Sequence, residues 1–226
     1  MCTNYVPSEI TTIREKFKAD FGDLIREYRT EAYKDYLAPI IVAGEGGARR
    51  AEVANYSMVP KAHLPPDAKK YSTMNARSET VGQLRSYAGP WKAGQLCLVP
   101  MKAFYEPCYE TGSAVRWRIG MADDSDFAVA GLWRTWNDAD GSISHAFTQL
   151  TINADSHPLM RRFHKPEDEK RSLVVVPEDD FDAWLNCRDT ELARSFLRLF
   201  PSELMSSMAE PTPPRTKKAQ EAAAIS

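Results

Sequence analysis

No run of apolar residues in this chain approaches the ~20 needed to cross a bilayer, and the opening Met1-Cys2-Thr3-Asn4-Tyr5 carries no apolar secretory segment. A cytoplasmic protein is therefore expected, with no membrane partner. Charge of one sign is also missing. The 29 Lys and Arg against 31 Asp and Glu leave a formal net charge of −2, so the total announces no nucleic-acid binder, although a local basic face could still serve one. Cysteine is sparse. Cys2, Cys97, Cys108 and Cys187 form no C-x-x-C pair, and His63, His145, His157 and His164 are not spaced as a zinc site. Neither a metal nor another cofactor is expected. The glycines between Gly44 and Arg50 do not fit a phosphate-binding loop, and no internal repeat is apparent.

What is present predicts one α+β domain over residues 1–200: a mainly antiparallel, curled, barrel-like sheet with flanking helices. Ser8 suits an N-cap, and Ile10, Ile13, Phe17 and Phe21 follow at helical spacing up to Gly22. A second short helix is expected over 23–33, and a third over 78–87, capped by Ser78 and stopped at Gly89-Pro90. Strands are expected over 39–42, 56–59, 95–99, 103–106, 114–122, 127–136, 144–153 and 172–176, with a hairpin turn at 138–141. Two helices follow, over 177–186 and 190–200. From Pro201 the composition turns to Pro, Lys and Ala with no face to bury, so 201–226 reads as a disordered tail.

Four places carry chemistry. Removal of Met1 would leave Cys2 with an α-amine beside its thiol. Such an amine, with a pKa of ~7.7–8.0, is partly neutral at physiological pH. It can attack an aldehyde, and the thiol can then close a thiazolidine ring, which no internal cysteine can do. Met74-Asn75-Ala76-Arg77-Ser78-Glu79-Thr80-Val81 is, taken alone, a solvated loop entering a helix. Glu106, within Ala103-Phe104-Tyr105-Glu106-Pro107, either faces solvent by alternation or is buried and tuned for proton transfer. Arg161-Arg162-Phe163-His164-Lys165-Pro166 is either a basic surface turn or a proton carrier flanked by phosphate-attracting cations.

In this order, these segments resemble the SOS-response-associated peptidase (SRAP) family over roughly residues 1–200. Asn75-Ala76-Arg77-x-Glu79-Thr80 is the most specific piece, supported by Cys2, by Tyr105-Glu106 and by Tyr56-Ser57-Met58-Val59-Pro60. The resemblance implies that Cys2 crosslinks abasic sites in single-stranded DNA through a thiazolidine, in the DNA damage response. Asn75 would orient the amine, Glu106 would take part in proton transfer, and His164 would assist opening of the deoxyribose ring. Arg77 would hold a phosphate. It also carries an expectation of lyase and autopeptidase activity, although only Met1 precedes Cys2 here. The chain departs from the family pattern at Asn4, Ser57 and Pro107, where Arg, Gly and Trp are usual.

Single strands are held by basic grooves and aromatic stacking. Candidates for the groove are Arg49, Arg50, Lys69, Lys70, Arg77, Arg85, Arg161, Arg162 and Lys165, whereas Trp117, Trp133 and Trp136 are expected in the core. The expected partner is abasic single-stranded DNA bound by a monomer, nucleoid-associated while on DNA. Two other readings remain open: an N-terminal-nucleophile hydrolase of the autoprotease or glutamine amidotransferase type, which also uses a leading Cys, and a non-enzymatic single-strand-binding module.

Overall fold

Five long strands close on themselves in the computed structural model, which describes residues 3–22, 26–65 and 71–212. Cys2, Lys69 and Lys70 lie outside the described residues. The ring runs β3 (Leu37–Ala43), β4 (Arg49–Tyr56), β9 (Ile143–Asn153), β8 (Phe127–Asn137) and β6 (Leu96–Cys108), with β6 returning to pair β3. Each ring pair is antiparallel except β4–β9. The architecture is the barrel-like α+β domain expected.

Both faces of the ring are covered, which is why its strands read as near-continuous apolar runs. Ile40, Val42, Cys97, Val99, Val129 and Phe147 belong to one buried cluster. Their alternating neighbours Ile41, Leu96, Leu98, Ala128 and Ala130 belong to a second, which α3 (Phe181–Asn186) and α4 (Thr190–Ser195) close with Trp184, Leu185 and Ala193. The first cluster is the barrel interior. It is tight at Gly131, where a Cβ would stand 2.8 Å from both Cys97 Sγ and the Thr148 carbonyl. Burial pushes the Cys97 thiol well above its usual range, as befits a small core residue.

Shorter strands extend the ring. β1 (Asn4–Pro7) lies antiparallel to β6, with Asn4 opposite Tyr105. β5 (Asn75–Arg77) runs parallel to β9, and β10 (Arg171–Leu173) antiparallel to it. β7 (Val115–Met121) continues the sheet from β6, and β11 (Val175–Val176) pairs β8.

Several local expectations are corrected. The first helix, α1 (Ile10–Glu15), is short and has no side-chain cap from Ser8. Lys18 takes a positive φ of 51°, and Ala19–Phe21 forms β2, parallel to β4. The described part of 23–33 is not helical, and β4 ends at Tyr56 rather than spanning 56–59. Residues 78–87 form successive turns, and the regular helix α2 is Ala88–Lys92, across Gly89-Pro90. Pro100 does not split β6. Nor is 201–212 unstructured: β12 (Met205–Ala209) pairs β7 along five residues. No helix among the described residues is long and apolar enough to cross a membrane.

Candidate active site

Register decides what β6 offers. Glu106 sits between Phe104 and Cys108, both buried in the interior cluster, and is itself only 3% exposed. Strand neighbours alternate faces, so Glu106 points inward with them, and the solvent-facing alternative is excluded. A carboxylate placed there requires a polar neighbour. His164 Nε2 lies 3.1 Å from Glu106 Oε2. His164 is also buried, and its backbone adopts φ 66°, a left-handed conformation in which His is several-fold enriched among non-glycine residues. The chain is held there by the end of β6. His164 N–H donates to the Pro107 carbonyl at 2.8 Å, and Phe163 bridges Cys108.

Asn75 opens β5 opposite Gln149. Gln149 is fully buried and accepts from the Tyr56 hydroxyl at 2.8 Å. Tyr56 meets the edge of Tyr5, with ring centres 5.2 Å apart, and Tyr5 lies opposite Phe104, two residues from Glu106. Strand register thus sets Asn75 opposite Gln149 and Glu106 two residues beyond Phe104, at the two ends of a run that Gln149, Tyr56 and Tyr5 form between them. β1 begins at Asn4, one position short of Glu106.

The basic residues scatter more than the sequence predicts. Arg85 and Arg161 are exposed. Arg162 forks onto Glu110 at 2.9 and 3.0 Å, with its guanidinium 4.8 Å from the Trp117 ring centre. Arg77 pairs with Glu169. Arg49 is engaged with Asp182 and the Phe17 carbonyl, and Arg50 with Glu52. Trp117, Trp133 and Trp136 are half-buried rather than core.

Arg171, which residue type alone did not single out, is 2% exposed. It donates to both Glu79 oxygens, to Glu169 and to the Thr151 carbonyl. The signal was available: a cation heading an apolar strand needs a partner, and Glu79, which suited the N-terminus of the helix expected from Ser78, serves that cation instead. Glu79 therefore braces the turn after Asn75. Burial raises its carboxyl, but the bonds from Arg171 win and hold it below the ordinary range.

A buried carboxylate–imidazole pair can exchange protons with a group entering from the barrel mouth. Among the described residues, no cluster of His, Cys, Asp or Glu is placed to hold a metal. The SOS response associated peptidase (SRAP) family model matches residues 1–210. The chain belongs to the SRAP family. Two Bacillus subtilis relatives, abasic site processing proteins YobE and YoqW, are each 29% identical over 193 residues, covering 81% of this chain and 81% and 79% of theirs. A crystal structure of a Bordetella bronchiseptica protein superposes with a TM-score of 0.84 at 31% identity, covering 93% of this SRAP chain and all of that one.

Proposed function

We propose that this SRAP protein processes abasic sites in single-stranded DNA, acting as a monomer and forming a covalent thiazolidine through Cys2 once Met1 is removed. The observation that carries the reading is the buried Glu106–His164 pair, 3.1 Å apart, beside the strand on which the N-terminus enters. Asn4 pairs with Tyr105, and two Cα steps of about 3.8 Å each separate Asn4 from position 2.

The chemistry balances without a cofactor. His164 assists opening of the deoxyribose hemiacetal to the aldehyde. The neutral α-amine of Cys2 adds to the aldehyde carbon, and Glu106 carries the proton to the departing hydroxyl, so one water leaves and an imine forms. The thiol sulfur adds to the imine carbon, its proton passing to the nitrogen. Asn75 orients the amine, while Arg77, Arg85, Arg161 and Arg162 hold phosphates. The product shields the lesion. Lyase activity would follow from the same imine, by β-elimination in place of ring closure.

The test is intact mass spectrometry of purified protein mixed with a uracil-excised oligonucleotide. The expected product is protein lacking Met1 plus the oligonucleotide, less one water, and absent from Cys2→Ala. A blocked terminus, or no adduct alongside release of ammonia from glutamine, overturns the reading.

A further inference from the structure

Trp117 is the large aromatic placed nearest the Glu106–His164 pair by strand register, and the chemistry above gives it no task. It lies directly opposite Glu106 across β6–β7. Directly opposed residues of an antiparallel pair project from the same face, with Cβ atoms about 5 Å apart. Further into the barrel, the next pair on that face, Phe104 and Ile119, is fully buried. Trp117 is only half-buried, so the face passes from core to mouth at this residue. On its other side stands Phe163, ring centres 6.1 Å apart and tilted by 60°, which immediately precedes His164. The indole therefore forms a wall of the entrance to the pair.

The cation over that wall is exchangeable. The Arg162 guanidinium sits 4.8 Å from the Trp117 ring centre, tethered to Glu110, whose side chain is 49% exposed. Exposed pairs of this kind are weak. A backbone phosphate can take Arg162 from Glu110, and the indole face it leaves fits a flat, apolar group.

We propose that Trp117 is a substrate-positioning residue that stacks on the unpaired nucleobase next to the lesion, with Arg162 moving to the adjoining phosphate. This rests on the abasic-DNA reading and narrows it: the substrate is a lesion flanked by an unstacked base, since a base held in a duplex cannot offer its face to the indole.

The probe is a fluorescein-labelled single strand carrying one tetrahydrofuran, an unreactive abasic analogue, flanked either by adenines or by further tetrahydrofurans. Binding is read by anisotropy, so a failure of the Cys2 chemistry leaves the stacking decidable. Wild-type protein should bind the adenine-flanked strand about tenfold more tightly than the base-free one. Trp117→Ala should lose that preference while binding the base-free strand as wild type does, and Trp117→Phe should keep most of it. Equal wild-type affinity for the two strands overturns the proposal whatever the variants do. So does a Trp117→Ala loss of the same size on both.

Discussion

Glu79 and Arg171 meet fork to fork, each carboxylate oxygen 2.8 Å from its own guanidinium nitrogen. Arg171 also donates at 2.7 Å to the carbonyl of Thr151, which accepts the Ser78 N–H at 2.9 Å as well. The pair therefore ties the turn after Asn75 to β9 and β10, and fixes where that turn leaves the sheet.

Removing one partner of a buried ion pair costs far more than the pair contributes. Arg171→Met should destabilise the fold by about 3 kcal/mol in chemical denaturation, because two carboxylates lose their donor. Glu79 is half exposed and can rehydrate, so Glu79→Gln should cost about 1 kcal/mol. In the double variant the losses should fall short of their sum. Strict additivity would show that the two residues act separately.

Glu169 gives the network a pH dependence. The Asn153 amide, then Arg171 and, against burial, Arg77 hold its carboxyl down to about 2 from a usual 4.5. A depressed carboxyl stabilises the native state above its unfolded pKa, and that contribution is lost as pH falls through the folded value. Melting temperatures of wild type and Glu169→Gln should differ most at pH 5 and above, and should converge between pH 4.5 and about 2. A gap that stays constant over that range would contradict the assignment.

Glu106 and His164 are expected to act on rate. General acid–base groups typically contribute about 10² to 10⁴-fold. Glu106→Gln keeps the shape and removes the proton exchange, so crosslinking to an abasic strand should slow about 100-fold at saturating DNA. Anisotropy with the tetrahydrofuran strand should be little changed. His164→Ala should slow the natural lesion more than a substrate offering a free aldehyde, because only the former needs its ring opened. Equal slowing on both would remove His164 from ring opening.

The barrel was legible because its strands carry continuous apolar runs between clear turns. Asp138 to Gly141 is the plainest case, with Gly141 at φ 83°. Phe17 and Phe21 misled because four-residue spacing also satisfies a strand. Ala19 and Phe21 alternate against β4, and the positive φ at Lys18 makes the break. Pro100 lies in the gap expected between strands over 95–99 and 103–106, yet its carbonyl accepts from Ser8 N–H, so its missing donor faces β1, whose register shifts between Val6 and Pro7. Met205–Ala209 is too polar to read as a strand, and edge pairing with β7 decides it. At the site, residue types disclosed Glu106 and His164, but not that a loop would press them together. Arg171 stayed hidden because Glu79, which takes both prongs of its guanidinium, lies 92 residues away in sequence.

Arg162 offers the sharpest electrostatic test, because its partner can be removed without touching it. In the free protein Glu110 competes for the guanidinium with any incoming phosphate. An exposed pair is worth about 0.2–1 kcal/mol, so Glu110→Gln should tighten single-strand binding by about 1.4- to fivefold. Arg162→Ala should weaken binding across all sequences and flatten the plot of log affinity against log salt by about one unit. Arg161→Ala, from an exposed side chain with no carboxylate to release among the described residues, should flatten the slope similarly, but Glu110→Gln should leave that effect unaltered. If Glu110→Gln binds no better than wild type while Arg162→Ala binds equally well, the arginine is a clasp for Trp117 and not a hand on the strand.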